Sequence, residues 1–130
     1  MMQSSLPDPA SLAFGDIILV RFPFTNLQTT KQRPAVIVSG SAHNQARNDV
    51  VILAITGQTK VTSEYAHCEV ADWQAAGLLK ISVLKPIVAT IEQEMIIRIL
   101  GRLTAKDLSN LDLILAAIRY EPDDLSQKIC

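Results

Sequence analysis

The chain has 130 residues, a length that predicts one domain. Hydrophobic residues make up 48% and charged residues 19%, a balance that favours a packed core and excludes an intrinsically disordered chain. The formal net charge of −1 excludes a general attraction of the whole molecule to nucleic acid, so any anion-binding surface must be local.

Several classes of protein are also disfavoured by what the sequence lacks. It shows no signal peptide and no apolar run long enough to span a membrane, so we expect a cytoplasmic protein without a membrane partner. Cys68 and Cys130 form neither a metal-binding nor a redox spacing. Because nucleotide-binding glycine loops, metal-ligand clusters and nucleophile elbows are missing as well, we expect no cofactor and no metal.

The N-terminal part of the domain predicts two strands joined by a polar loop. Residues 16–22 are rich in Ile, Val, Leu and Phe, and Pro23 is expected to close this strand. Residues 25–32 are polar and contain no glycine, whereas residues 35–39 are again aliphatic. Arg33 is therefore expected on the loop, at the base of the second strand.

The middle of the chain predicts short elements around one buried strand. Residues 41–48 are polar and suit a short turn of helix, and the continuous apolar run 49–55 predicts a strand buried on both faces. Residues 56–59 (TGQT) break this strand. Residues 65–70 form another short strand candidate.

Two further elements are predicted before the chain reaches its last third. Residues 72–76 suit a short helix that Asp72 caps and Gly77 stops. Residues 79–91 are strand-like, and Pro86, which lacks a backbone donor, predicts an edge or a bulge there.

The last third changes to a helical period. Residues 104–107 (TAKD) resemble a capping box with Asp in place of the usual Glu. The apolar residues that recur at helical spacing are Leu108, Leu111, Ile114, Leu115 and Ile118. Strands followed by an amphipathic helix predict a small, strongly curved α+β barrel over residues 14–120, with loose tails at 1–13 and 121–130.

Two residues stand out as candidates for chemistry. Arg33 has a planar, permanently protonated guanidinium that suits either a phosphate clamp or a structural salt bridge at a strand start. Thr56 ends an apolar strand beside Gly57, so its hydroxyl is either a ligand-binding group at the strand mouth or an ordinary strand-end side chain.

Four other polar residues are secondary candidates. Lys31 supplies a second cation or is a solvated loop lysine, and Asp16 either orients Arg33 or is simply a strand-start acid. Gln58 and Thr59 offer neutral hydrogen bonds to bases or sugars, or they are only loop polarity.

Three blocks of the sequence resemble the MazF/PemK toxin family, and its PemK-like branch especially. The first block is GDIILVRFPFT…KQRPAVIVS at residues 15–39, and the second is DVVILAITGQT at residues 49–59. The third spans residues 82–118, from SVLKPIVATIEQEM through the Gly-Arg-Leu segment to the final helix. Together they cover almost the whole domain.

The resemblance implies an SH3-like antiparallel barrel that forms a homodimer and cleaves single-stranded RNA at specific sequences without a metal. It implies a cognate antitoxin whose extended segment occupies the RNA site. The catalytic arginine of the family corresponds to Arg33 and its catalytic Thr/Ser to Thr56. Lys31, Asp16, Gln58 and Thr59 are then the expected RNA-binding residues. Family members often carry a serine at the position of Gly57 and an acid at that of Gln32.

Two alternatives to an RNA-cleaving toxin remain open from the sequence. The first is a non-catalytic barrel of the same family that binds a partner protein or nucleic acid. The second is a related toxin that poisons gyrase through the end of its C-terminal helix, and the polar segment at residues 123–126 does not favour it.

Overall fold

Residues 11–22, 31–57 and 65–120 are described by a computed structural model of the chain. Within these ranges, the elements in chain order are β1 (Asp16–Phe22), β2 (Lys31–Ile37), α1 (Ser41–Ala46), β3 (Asp49–Thr56), β4 (Cys68–Glu69), β5 (Val83–Glu92), a 3-10 turn (Gln93–Met95), β6 (Ile96–Arg102) and α2 (Ala105–Arg119).

The six strands form a single antiparallel sheet in the order β4-β5-β3-β2-β1-β6. The sheet curls into a half-barrel, and α2 is its C-terminal helix. The expectation of a small α+β barrel ending in a helix is confirmed. The predicted bounds of β1 are also those of the structure.

Apolar residues are buried on both faces of this sheet. Ile17 and Leu53 belong to one hydrophobic cluster, whereas their chain neighbours Ile18 and Ile52 belong to a second one. Because successive strand residues face opposite sides, the two clusters lie on opposite faces of the sheet. Helix α2 contributes to the first cluster. This arrangement confirms that β3 is buried on both faces.

The second strand differs from its prediction. It begins at Lys31, four residues before the expected start, and it includes Pro34. Pro34 lies opposite Leu19 of β1, whereas the pairing of β2 with β3 begins only at Ala35. Proline has no N–H to donate. Arg33 consequently lies within a strand rather than on a loop.

Pro86 marks a bulge, as predicted. Leu53 of β3 lies opposite Val88 of β5, but Ile55, two residues further on, lies opposite Leu84. Residues 85–87 of β5 therefore face the single residue 54 of β3. A bulge of this kind bends the strand locally and increases the curl of the sheet.

Two predictions for residues 65–77 were wrong. The strand expected over 65–70 is reduced to the two residues of β4, because residues 65 and 66 form a turn in which Ala66 has a φ of 61°. The helix expected over 72–76 is a succession of turns. Gly77 ends it at a φ of 90°, a backbone conformation that favours glycine.

The start of α2 was predicted correctly, but its cap was not. Thr104 is the residue that precedes the helix, and its side chain makes no capping hydrogen bond. Asp107 is buried and turned away from the helix end. The expected capping box is therefore absent, because both side chains contact residues 71–72 instead.

One residue of the segment expected to be a loose N-terminal tail is buried. Leu12 was assigned to a tail, but it is 1% exposed and packs in the second hydrophobic cluster. Residues 1–10, 23–30, 58–64 and 121–130 lie outside the described residues. In the described part of the chain, every helix is too short or too polar to cross a membrane.

Candidate active site

A cavity of about 260 Å³ opens where β2 and β3 stop pairing with each other. Arg33 and Thr56 both line it, although 22 residues separate them in the sequence. Its apolar wall is formed by Leu19, Pro34, Ile55, Leu78, Leu79 and Leu100. Its polar wall adds Gln32, Gly57, Lys80 and Ser82. The structure thus brings together the two residues that the sequence singled out.

The strand register explains why Arg33 and Thr56 meet. Ala35 of β2 pairs with Ala54 of β3, and extending this antiparallel register by two residues places position 33 opposite position 56. The observed ladder between the two strands ends before these positions. Since Pro34 has no backbone donor, it cannot continue the ladder towards β3. The gap left between the strand ends is the cavity.

Arg33 differs from Arg47 and Arg102 in its surroundings, and it is the arginine among the described residues that lines the cavity. The guanidinium of Arg47 pairs with Asp49 at 2.9 Å, and that of Arg102 pairs with Asp16 at 3.0 Å. Arg33 is exposed and makes no such ion pair within residues 11–22, 31–57 and 65–120. A structural salt bridge therefore does not account for Arg33 in the described part of the chain, and its charge faces an open cavity.

Thr56 is the last residue of β3 and is half-buried. It lines the cavity next to the buried Ile55, which belongs to the apolar wall. A hydroxyl in this position can donate one hydrogen bond and accept others. Together with an arginine, it provides donors for the oxygens of a phosphate group.

Asp16 does not approach Arg33. Its carboxylate accepts a hydrogen bond from the backbone amide of Ala13 at 2.9 Å and another from Arg102 at 3.0 Å. Arg33 lies opposite Val20, four residues further along β1. Asp16 is 7% exposed. Of the two roles left open by the sequence, the contacts favour a strand-start acid that links β1 to β6 over an acid that orients Arg33.

Of the remaining predicted RNA-binding residues, only Lys31 lies in the described part of the chain. Lys31 is exposed in β2, two residues before Arg33, and is not among the lining residues. Gln58 and Thr59 lie outside the described residues. Neither histidine lines the cavity: His43 contacts Asp49 at 3.1 Å, and His67 contacts the carbonyl of Tyr65 at 3.1 Å.

Sequence reasoning missed Lys80 and Ser82. They precede β5, and the pairing of Val83 with Thr56 brings them beside the end of β3. Ser82 is 3% exposed and its hydroxyl donates to the carbonyl of Lys80 at 2.8 Å, which fixes the local turn. No local motif marks either residue, because their position depends on a strand pairing between distant segments.

The described lining of the cavity is positively charged. Its lining includes two cations, Arg33 and Lys80, and no carboxylate among the described residues. Gln32 contributes a neutral amide. Two positive charges that no described lining residue neutralises, next to an apolar wall, suit an anionic ligand such as a phosphodiester. In the described residues, no group of three or more His, Cys, Asp or Glu side chains forms a metal-ligand cluster.

A family model described as "PemK-like, MazF-like toxin of type II toxin-antitoxin system" matches residues 13–118 of the sequence. The chain belongs to this family. The match contains every strand and most of α2, as well as all the residues that line the cavity. No curated protein matches the sequence.

Solved structures of similar proteins share this fold at low sequence identity. An endoribonuclease from Mycobacterial species, in complex with its cognate antitoxin, is 18% identical with a TM-score of 0.64, over 86% of this chain and 96% of that one. A MazE–MazF complex from Deinococcus radiodurans is 18% identical with a TM-score of 0.63, over 88% and 96%. The Mycobacterium tuberculosis toxin MazF-mt6 is 22% identical with a TM-score of 0.58, over 79% and 90%.

Proposed function

We propose that this PemK/MazF-family member is the toxin of a type II toxin–antitoxin system and cleaves single-stranded RNA at specific sequences. The observation that carries the proposal is the meeting of Arg33 and Thr56 in one cationic cavity. These are the two residues that the family resemblance implies to be catalytic. Structurally similar proteins that are named endoribonucleases give the proposal further support.

The proposed reaction uses the RNA as its own nucleophile. The ribose 2′-oxygen attacks the adjacent phosphorus in line, so that a 2′-O–P bond forms and the P–O5′ bond breaks. The 2′-hydroxyl loses its proton, and the leaving 5′-oxygen gains one. The products are a 2′,3′-cyclic phosphate and a 5′-hydroxyl end. Since the nucleophile belongs to the substrate, the protein mainly has to position the phosphate and stabilise its charge.

Arg33 stabilises the negative charge that develops on the non-bridging oxygens of the attacked phosphate. A preorganised donor of this kind typically contributes about 3–4 kcal/mol to lowering the barrier. The guanidinium remains protonated at neutral pH, so its electrostatic role outweighs any role as a proton donor. Thr56 donates its hydroxyl to a phosphate oxygen or binds the 2′-hydroxyl, which holds the nucleophile in line.

The proposal extends to partners and location. The toxin acts in the cytoplasm as a homodimer, and a cognate antitoxin covers the cationic cavity with an extended segment. One of the similar structures is an endoribonuclease in complex with its cognate antitoxin, which supports an antitoxin as partner. Lys31 in β2, and residues Gln58 and Thr59, are assigned further contacts to the RNA. The reaction proceeds without a metal, so chelation by EDTA should leave the cleavage rate unchanged.

Primer extension on a long RNA tests this function. Wild-type protein should generate discrete stops at a recurring sequence, and Arg33→Ala should abolish them while the circular dichroism spectrum is unchanged. Arg119→Ala, in the last turn of α2, is the matched control and should cleave like wild type. Cleavage by Arg33→Ala within about threefold of wild type would rule out the assigned role. RNA binding without any cleavage by wild type would instead indicate a non-catalytic barrel.

A further inference from the structure

The side chain of Lys80 lies directly against Gly57. A Cβ atom built on Gly57 would be 2.8 Å from Nζ of Lys80 and 3.2 Å from its Cδ, and it would overlap with Cε. Any side chain at position 57 would therefore have to displace the lysine. The absence of one allows the aliphatic stem to run along the backbone of the strand end.

Lys80 thus contacts the residue that follows Thr56 in the chain. Thr56, Gly57, Lys80 and Arg33 all line the same cavity. Within the described residues, Lys80 takes part in no ion pair. A lysine side chain ordinarily keeps its conformational freedom in solvent. Arg33 and Lys80 thus line one cavity, and none of its described lining residues is a carboxylate.

We infer that Lys80 is a second phosphate-binding cation of the active site, and that Gly57 is the residue that gives it room. The inference rests on the proposed function and deepens it. Lys80 donates from Nζ to a non-bridging oxygen of the phosphodiester that Arg33 and Thr56 hold. The ammonium is a compact point charge, so it complements the planar fork of the guanidinium without competing for its geometry.

Ser82 supports this placement without touching the phosphate in our assignment. Its hydroxyl donates to the backbone carbonyl of Lys80 at 2.8 Å, and the residue is 3% exposed. This bond fixes the main chain from which the lysine side chain leaves. Ser82 is thus a positioning residue, and Lys80 is the residue in contact with the substrate.

Uncleavable RNA separates binding by Lys80 from cleavage. The probe is a fluorescent, fully 2′-O-methylated single-stranded RNA that contains the mapped cleavage sequence, or mixed sequences if no site is mapped. Each phosphate contact of a single strand steepens the dependence of log K on log salt by about 0.7. Lys80→Met should therefore flatten this slope by about 0.7 relative to wild type. Lys106→Met, exposed at the start of α2, is the control and should not change it.

Cleavage kinetics test whether the contact extends to the transition state. Lys80→Met should lower kcat/KM by about tenfold or more, as loss of a donor to the transition-state charge does. Lys80→Arg should restore part of the rate. A Lys80→Met protein that cleaves like wild type, with an unchanged salt slope, would overturn the inference while leaving the proposed function intact.

A double-mutant cycle tests the specific role of Gly57. Gly57→Ala should push the lysine out of place and reduce RNA binding in the wild-type background. Its backbone does not require glycine, since Gly57 is not among the residues with a positive φ. In the Lys80→Met background, where no ammonium remains to be displaced, the same substitution should have little further effect. Additive losses would show that Gly57 acts independently of Lys80, which would contradict its assigned role.

The outcomes for the two proposals differ. If wild type cleaves no RNA but Lys80→Met still flattens the salt slope, the proposed function fails and the phosphate site stands. If wild type cleaves and only Arg33→Ala is impaired, the function stands and the Lys80 site is lost.

Discussion

The buried carboxylate of Asp107 in α2 accepts the backbone amide of Asp72 at 2.9 Å, across 35 residues of sequence. Its other oxygen accepts the amide of Ala71 at 2.8 Å. The side chain of Asp72 in turn accepts the hydroxyl of Thr104 at 2.7 Å. These three bonds attach the first turn of α2 to the turn segment 71–77, which leads towards Lys80 and the cavity.

Replacing Asp107 by Asn should destabilise the protein. The amide can present one oxygen and two N–H groups, so at least one of the two backbone donors would lose its acceptor in a buried site. Leaving a buried donor unsatisfied costs about 1–3 kcal/mol of unfolding free energy. Urea denaturation measures the loss. Asp112→Asn, exposed on the same helix, should remain close to wild type, and equal stability of both variants would contradict the assigned role of Asp107.

The hydrogen bonds between α2 and residues 71–72 show what the sequence alone does not predict. Thr104 and Asp107 have the spacing of a capping box. Asp72 stands where it could cap the short helix predicted over residues 72–76. Local spacing correctly identified these three side chains as hydrogen-bonding residues. It assigned each to its own segment, however, whereas the structure joins the two segments to each other. Elements set by hydrophobic periodicity, such as β1 and α2, were predicted almost to the residue.

Gly77 and Gly101 are in close backbone contact, and neither can carry a side chain. A Cβ on Gly101 would overlap with the carbonyl oxygen of Ala76 and lie 3.2 Å from the amide nitrogen of Gly77. Gly101→Ala should therefore force the turn away from β6 and cost about 1–3 kcal/mol, as overpacking does. Thermal denaturation should show a lower Tm.

Gly40→Ala is the matched control for this substitution, because a Cβ at Gly40 meets nothing within 4 Å. A Gly101→Ala protein as stable as Gly40→Ala would mean that the contact between the turn and β6 relaxes without cost.

Asp49 should make the stability of the protein depend on pH in the acid range. Hydrogen bonds from Arg47, and to a smaller extent from His43, hold the pKa of the Asp49 carboxyl below its usual value. A group with a lowered pKa in the folded state stabilises the fold above its unfolded value of about 3.9. That contribution is lost as the pH falls through the lower folded value.

The measurement is urea unfolding of wild type and Asp49→Asn from pH 7 down to pH 3. The difference in unfolding free energy between the two proteins should shrink as the pH falls below about 4, because only wild type loses the ionised carboxylate. A constant difference across this range would show that the ion pair contributes nothing to stability.

The candidate site was predicted only in part, and strand pairing accounts for the rest. The residue pattern made Arg33 and Thr56 candidates, and the family resemblance implied that they are catalytic. The register of β2 and β3 explains their meeting. Lys80 depends on the pairing of β5 with β3, which no window of sequence around residue 80 reveals. In the sequence, Gly57 stands where family members often carry a serine, so a hydroxyl is missing. In the structure, the side chain of Lys80 occupies the space next to Gly57.

Thr56→Val removes the hydroxyl of the side chain and keeps its branched shape. Valine is β-branched like threonine and suits the end of β3, so the fold should be retained. If the hydroxyl binds the phosphate or the 2′-oxygen in the transition state, kcat should fall by about 10²-fold with a smaller change in KM. Thr56→Ser keeps the hydroxyl and should retain most of the activity.

Single-turnover cleavage of the mapped RNA distinguishes the two variants. Equal rates for Thr56→Val and Thr56→Ser would show that the threonine only closes the strand, and Arg33 and Lys80 would then have to bind the phosphate without it.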